Sequence, residues 1–253
     1  MKFKQLFRFS NNLNIISLGV QYVGNLFFVL SLIIALALIM FSSVTIECTV
    51  VGPSMQPTLN TDIKAGSDVV YINKYDRDFV YGDIVVIDLG AKSDPLIKRV
   101  IGVSGDIIDV VYVDGGYKLE INGKLIEEDY LKLDYTLIDT KVQNGNDILY
   151  HRFKGEDNDL EESLYEKFPD LFINVLTDDG VVKKLQVPEG EVFVLGDNRH
   201  VSRDSTYYGT FKFATIDGTV ELIKNSNQST FDFYWKYIWN GKFFTTLKNS
   251  LSS

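Results

Sequence analysis

No charged residue occurs between Arg8 and Glu47, and this constrains the fold more than any other feature of the chain. Within that window Leu26 to Phe41 is apolar except for Ser31, and weaker apolar positions extend the run from Val20 to Ile46. A helix of about 20 apolar residues spans a bilayer, so residues 20–46 are predicted to form a transmembrane anchor. A cleavable signal peptide or a buried core helix are the other structures such a run could adopt. The run is longer than a typical signal h-region, and Ser43-Val44-Thr45 is no convincing small-x-small cleavage site. Lys2, Lys4 and Arg8 precede the run without any acid. Positive charge favours the cytoplasmic side, so residues 1–19 are expected in the cytoplasm and the chain beyond Glu47 outside.

The whole chain carries a formal charge of −9, and setting aside the three cations before Glu47 leaves the outer part at −12. Nucleic acid demands neutralising Lys and Arg, so it is excluded as a partner. Cys48 is the only cysteine, which rules out an intrachain disulfide. Two distant His and that one Cys do not supply the three or four ligands of a zinc site. No G-x-x-x-x-G-K-S/T loop occurs to cradle a phosphate. Neither metal nor cofactor is expected.

After Thr49 the pattern becomes short Val-, Ile- and Tyr-rich runs broken by turn residues. Strands are predicted at 68–73, 83–88, 98–103, 107–113, 117–121 and 192–195. Asp114-Gly115-Gly116 and Asn122-Gly123 are hairpin signals. Residues 124–190 differ: they are acidic, with Glu127-Glu128-Asp129 and the run from Glu156 to Glu162, and such runs read as solvated surface. The expected organisation is therefore a mainly antiparallel β core formed by 47–123 and 191–224, interrupted by a smaller α/β or irregular cap at 124–190. Residues 225–253 interleave aromatics with Lys236, Lys242 and Lys248, which suits either a membrane interface or packing of a C-terminal helix.

Two residues stand out chemically. Ser54 lies in Gly52-Pro53-Ser54-Met55-Gln56-Pro57-Thr58-Leu59, just beyond the anchor, and Lys98 lies in the apolar run Leu96-Ile97-Lys98-Arg99-Val100-Ile101-Gly102. Serine needs a base to take its proton. With two His in the chain the usual triad is poorly supplied, and a lysine kept neutral by apolar surroundings is an adequate substitute. Two further blocks follow the same order along the chain: Tyr81-Gly82-Asp83-Ile84-Val85-Val86, and Gly196-Asp197-Asn198-Arg199-His200-Val201-Ser202-Arg203-Asp204-Ser205. Together the four blocks, behind an N-terminal anchor, resemble bacterial type I signal peptidases.

That resemblance implies a membrane-bound serine endopeptidase that removes signal peptides from exported preproteins, with a core fold shared with self-cleaving repressors. By resemblance Ser54 is the nucleophile, Lys98 the general base, Ser202 a hydrogen-bond partner that orients the lysine, and Asp204 a supporting carboxylate. The Ser54 N–H is expected to hold the oxyanion, with only a backbone contribution from Gly52. Substrate would add as a strand beside Val50, Val51 and Gly52, and a shallow pocket of Met55, Leu59, Leu96 and Ile97 would admit small side chains at the first and third positions before the cut. Secretory preproteins and membrane lipid are the partners so implied, in a single-pass protein of the cell membrane. This chain departs from the family pattern at Ser104, His200, Val201 and Thr206. Thr206 stands where an Arg often pairs with the aspartate, a role left for Arg199 or Arg203. The alternative of a different class is a catalytically silent, membrane-anchored protein that captures extended peptides.

Overall fold

The computed structural model describes residues 19–36, 38–39, 45–61, 66–90, 93–131, 145–155, 162–178, 180–230 and 232. Two compact units divide the chain between Val44 and Thr45, and each is described by itself. In the first, helix α1 (Gly19–Leu36) has 18 residues with a mean hydropathy of 1.9, and none of it is buried in protein. It is long and apolar enough to cross a membrane. The expected cytoplasmic segment apart from Gly19, and residues 231 and 233–253 of the aromatic segment, lie outside the described residues.

The second unit contains β1 (Thr45–Thr49), β2 (Val69–Asn73), β3 (Ile84–Ile87), β4 (Leu96–Val103), β5 (Ile107–Val113), β6 (Gly116–Ile121), β7 (Lys124–Leu125), β8 (Phe172–Thr177), β9 (Gly180–Gln186), β10 (Glu191–Leu195), β11 (Phe211–Lys212) and β12 (Ile216–Lys224). The larger sheet has the order β1-β2-β12-β3-β4-β10-β11, and the smaller one β7-β6-β5-β9-β8. All pairings are antiparallel. Three short helices, α2 (Asn146–Lys154), α3 (Leu164–Lys167) and α4 (Ser205–Tyr208), complete it.

The continuous apolar run of β3 is explained by burial on both faces. Val85 and Ile87 enter a cluster with Val100, Val192, Val194, Phe211 and Ile216. Their neighbours Ile84 and Val86 enter a second cluster with Val50, Met55, Leu59, Val70 and Ile72. Successive strand side chains point to opposite faces, so one strand supplies two cores. Ile101, Phe193 and Leu195 face a third cluster, built with Ile108, Leu119 and Leu185 of the smaller sheet and with Leu149 and Phe153 of α2. In α2 the buried residues are Asn146, Leu149 and Phe153, spaced to lie on one helical face. Burying Phe153 is worth roughly 2–3 kcal/mol, and it fixes that face of α2 on the cluster shared by the two sheets.

All six predicted strands are present. The hairpin signals also act as expected: Asp114-Gly115 joins β5 to β6 and Asn122-Gly123 joins β6 to β7. All four residues have positive φ, as two-residue primed turns require.

Three features differ from the sequence reading. Thr45 and Ile46, expected at the end of the anchor, pair with Asn73 and Ile72 in β1. Residues 107–123, assigned to the catalytic core, belong to the smaller sheet, because Ile107 and Ile108 pair with Gln186 and Leu185. The segment 124–190 supplies β8, β9 and α2, in keeping with an α/β cap, but its Glu128, read as solvated surface, is buried. Local composition concealed that carboxylate, whose partner lies 71 residues away.

Candidate active site

Ser54 sits in the loop that follows β1. Two apolar side chains, Met55 and Leu59, plug this loop into the core and are buried. Its neck is closed by a reciprocal clasp: Asn60 N–H donates to Asp68 Oδ2 and Asp68 N–H to Asn60 Oδ1, both at 2.8 Å. The Asn60 amide also donates to the carbonyls of Val50 and Gly52. Nothing in the sequence reading singled out Asn60 or Asp68. The local signal was two short polar residues flanking a turn, which is too common to be informative.

Lys98 lies in the middle of β4, cross-strand from Val85, and is 2% exposed. Its Nζ is 2.9 Å from Ser54 Oγ and 2.8 Å from the carbonyl oxygen of Ile97. Burial brings the amine down from its ordinary 10.5 to about 8, against the opposing pull of the Asp204 and Asp197 carboxylates. Desolvation disfavours the ammonium form, so about half of this lysine is neutral at pH 8 and about a tenth at pH 7.

Arg99, next in sequence, joins all four sequence blocks. It donates from Nε and Nη2 to the two oxygens of Asp197 at 2.8 and 2.7 Å, and from Nη1 to Gly82 O at 2.8 Å. Thr58 Oγ1 donates to Asp197 Oδ2 at 2.5 Å, and the guanidinium lies 4.0 Å from the Tyr130 ring centre. A bidentate Arg–carboxylate pair fixes orientation as well as distance. Sequence reasoning passed over this pair, although both residues stood inside the recognised blocks.

The loop after β10 completes the site. Asn198 N–H donates to Ser54 O at 3.0 Å, and Asp204 accepts from Gly196 N–H at 2.9 Å. A Cβ on residue 196 would sit 2.2 Å from Ser202 Oγ and 2.6 Å from Ser54 O. Only glycine permits this approach.

Ser202 is buried here, but its hydroxyl has no hydrogen-bond partner among the described residues, so the expected bond to Lys98 is not formed. Ile97 O takes that place. Asp204 is paired by neither Arg199 nor Arg203; Oδ1 accepts from the Thr206 N–H and hydroxyl at 3.1 and 2.8 Å. Arg199 donates instead to Glu128 and Asn146. Ser104, in the turn after β4, accepts from Gly190 N–H at 2.8 Å. His200 is half-buried with its Nε2 unpartnered, and burial lowers its pKa.

A cavity of about 530 Å³ opens at Ser54 and Lys98. One wall is Cys48 to Val51, the other Asp94 to Ile97, and Val70 and Val86 form its base. Val50, Val51, Leu96 and Ile97 are therefore where they were expected. Met55 and Leu59 are not: they lie in the core beneath, holding the loop rather than lining the cavity.

The family described as "Signal peptidase, peptidase S26" matches residues 23–224. Signal peptidase I P of Bacillus subtilis subsp. natto is 34% identical over 176 residues, which cover 68% of this chain and 72% of that one. Signal peptidase I of Streptococcus pneumoniae serotype 4 is 35% identical over 204 residues, 79% of this chain and 89% of that one. A solved signal peptidase I from Enterococcus faecalis shares 27% identity, with a TM-score of 0.34, over 56% of this chain and 96% of its own. With residues 23–224, four-fifths of its length, matched by that family, the chain belongs to the signal peptidase family.

Proposed function

We propose that Ser54 and Lys98 are the nucleophile and general base of a serine endopeptidase that removes signal peptides from preproteins. The observation that carries this reading is a single one: a buried amine, with a pKa near 8, lies 2.9 Å from a serine hydroxyl at the mouth of a cavity. In its neutral form Lys98 Nζ accepts the proton as Ser54 Oγ attacks the scissile carbonyl. The resulting ammonium then protonates the departing amine, and the acyl-enzyme is hydrolysed by water with Lys98 again acting as base. Ile97 O holds Nζ toward Ser54 in place of a side-chain orienter.

The Ser54 N–H is the donor assigned to the oxyanion; preorganised backbone donors are worth several kcal/mol at such a position. Gly52 has no side chain to add. The substrate lies extended between the walls 48–51 and 94–97. Val100 uses its N–H and C=O on Asp83 and Gly82 of the β3 side, so alternation turns those of Ile97 toward the open cavity. An added strand can pair there. Val86 and Ile97 line the cavity beside Ser54, and we assign to them the selection of small residues at the first and third positions before the cut. Ser202 and Asp204 act as supports: the first packs against Gly196, the second ties Gly196 to α4.

The family is membrane-associated, and α1 supplies a helix able to span. We assign the N-terminus to the cytoplasm on the charge of Lys2, Lys4 and Arg8. Protease protection in sealed vesicles tests it; digestion of residues 60–220 from the cytoplasmic side would overturn the orientation. Cleavage of a preprotein by wild type, Ser54→Ala, Lys98→Ala and Lys98→Arg tests the chemistry. All three variants should be inactive, the last because guanidinium stays charged. Binding without turnover by the wild type would favour the silent peptide-capturing alternative.

A further inference from the structure

Glu128, in the segment after β7, and helix α2 hold the loop 196–206 by two reciprocal arginine contacts. From the loop, Arg199 reaches outward: Nη1 donates to Asn146 Oδ1 at 2.7 Å and Nη2 to Glu128 Oε1 at 2.5 Å. From α2, Arg152 reaches inward: Nη1 donates to Ser202 O at 3.2 Å and to Thr206 Oγ1 at 3.4 Å. Between them the helix backbone itself touches the loop. Gly145, the residue before α2, has φ +65°, and a Cβ there would lie 2.9 Å from Arg199 Cβ. Helix α2 is thus docked on the loop at both its first and its second turn.

We infer that α2 is a positioning element for the Ser54–Lys98 pair, and that Arg152 is the residue through which it governs the loop. The inference rests on the Ser54–Lys98 reading above and adds a role for the segment inserted between the two halves of the larger sheet. What Arg152 holds leads directly to the reacting atoms. Thr206 Oγ1, which accepts from Arg152, donates in turn to Asp204 Oδ1. Asp204 Oδ2 accepts from Gly196 N–H, and Ser202 N–H donates to Asn198 O. Asn198 N–H then donates to Ser54 O. Releasing one end of this chain lets the loop move relative to Ser54, and a displacement of about 1 Å at a reacting group can cost on the order of a hundredfold in rate.

Arg152 has an electrostatic consequence as well. The charged and titratable groups around it are Glu162, Lys167, His200, Arg203 and Tyr207; those acting on Lys98 are Asp204 and Asp197. Arg152 is a cation on the far side of Thr206 from Asp204. Without it the Asp204 carboxylate acts on Lys98 less opposed, the ammonium form gains, and the rising limb of activity moves to higher pH.

The test compares Arg152→Met, Arg152→Lys and Lys154→Met in the full-length protein, with kcat, KM, pH profile and melting temperature measured for each. Lys154 is the control: it lies on the same helix and pairs with Asp109 of β5 at 2.9 Å, away from the loop. Arg152→Met should lower kcat by about tenfold or more with KM little changed, and should shift the rising limb upward. Arg152→Lys keeps the charge, so its limb should stay at the wild-type pH, while kcat recovers only in part because an ammonium on a flexible stem holds two acceptors less firmly than a guanidinium. Lys154→Met should keep wild-type kcat and limb whatever its melting temperature. Should Arg152→Met fail to fold, Arg152→Gln serves the same comparison. A normal kcat and limb in Arg152→Met, or an equal loss in Lys154→Met, overturns the positioning role and leaves the dyad untouched. Cleavage by Ser54→Ala would overturn the dyad itself.

Discussion

Replacing Lys98 by Met should abolish activity and make the protein more stable at neutral pH. Lys98 is 2% exposed, and its pKa falls from 10.5 to about 8. At about 1.4 kcal/mol for each tenfold, the folded state disfavours the ammonium by about 3 kcal/mol. Because the folded value lies below the unfolded one, the unfolded chain binds more protons between pH 8 and 10.5, and wild-type stability rises with pH across that window. Below pH 8 the full cost is present. Methionine has no such cost, but it forfeits the contacts to Ser54 and Ile97 O, roughly 1 kcal/mol each. The variant should therefore be more stable by about 1–2 kcal/mol at pH 7 and less stable by a similar amount above pH 10.5. Denaturant unfolding of both proteins in detergent across pH 6.5–11 measures this difference. A stability difference that stays flat over that range would refute the argument, since it would mean that Lys98 titrates alike in both states.

The same pKa predicts the rate profile. Between pH 8 and pH 7 kcat/KM should fall about fivefold as the neutral fraction drops from half to about a tenth, and the limb should persist in His200→Ala; its loss in that variant would point to histidine as the base. Glu128→Ala leaves Arg199 buried without its carboxylate and should cost about 3–5 kcal/mol of stability, read by thermal unfolding; a change under 1 kcal/mol would show that water replaces the pair. Phe placed immediately before the cut in a preprotein should stop processing through steric exclusion at Val86 and Ile97, and efficient cleavage of that substrate would remove the shallow-pocket argument.

How much of this was legible in the sequence follows from the range of the forces involved. The strands were readable because β propensity and turn chemistry act within ten residues: Asn122-Gly123 makes its turn whatever lies elsewhere. The dyad was readable because motif blocks preserve chemistry at fixed local spacing. Partner choice was not. Glu128 in Glu127-Glu128-Asp129 looks like any solvated acid until Arg199 is brought against it. Met55 and Leu59 were expected as pocket walls by resemblance, yet the turn closed by Leu59 N–H on Met55 O points them into the core instead. The first expectation failed on tertiary pairing, the second on the direction of side chains within a turn.

The distribution of buried cations explains why one of them can be a base. Lys98, Arg99 and Arg199 are all buried within one small region, and arginine cannot lose its proton there. Each arginine is therefore matched to a carboxylate of its own, Arg99 to Asp197 and Arg199 to Glu128. Those pairings also occupy the acids. Asp197, which pulls Lys98 toward the charged form, has both oxygens engaged by Arg99 and one also by Thr58. Asp204 is likewise taken up by Gly196 and Thr206. Lys98 alone has no carboxylate in contact, only a hydroxyl and a carbonyl oxygen. Burial therefore outweighs the pull of Asp204 and Asp197 and brings its pKa to about 8, and lysine, unlike arginine, can give up its proton in that range. The adjacent pair Lys98-Arg99 divides the work of one strand: the arginine ties up the neighbouring carboxylate, and the lysine is left neutral enough to accept a proton from Ser54.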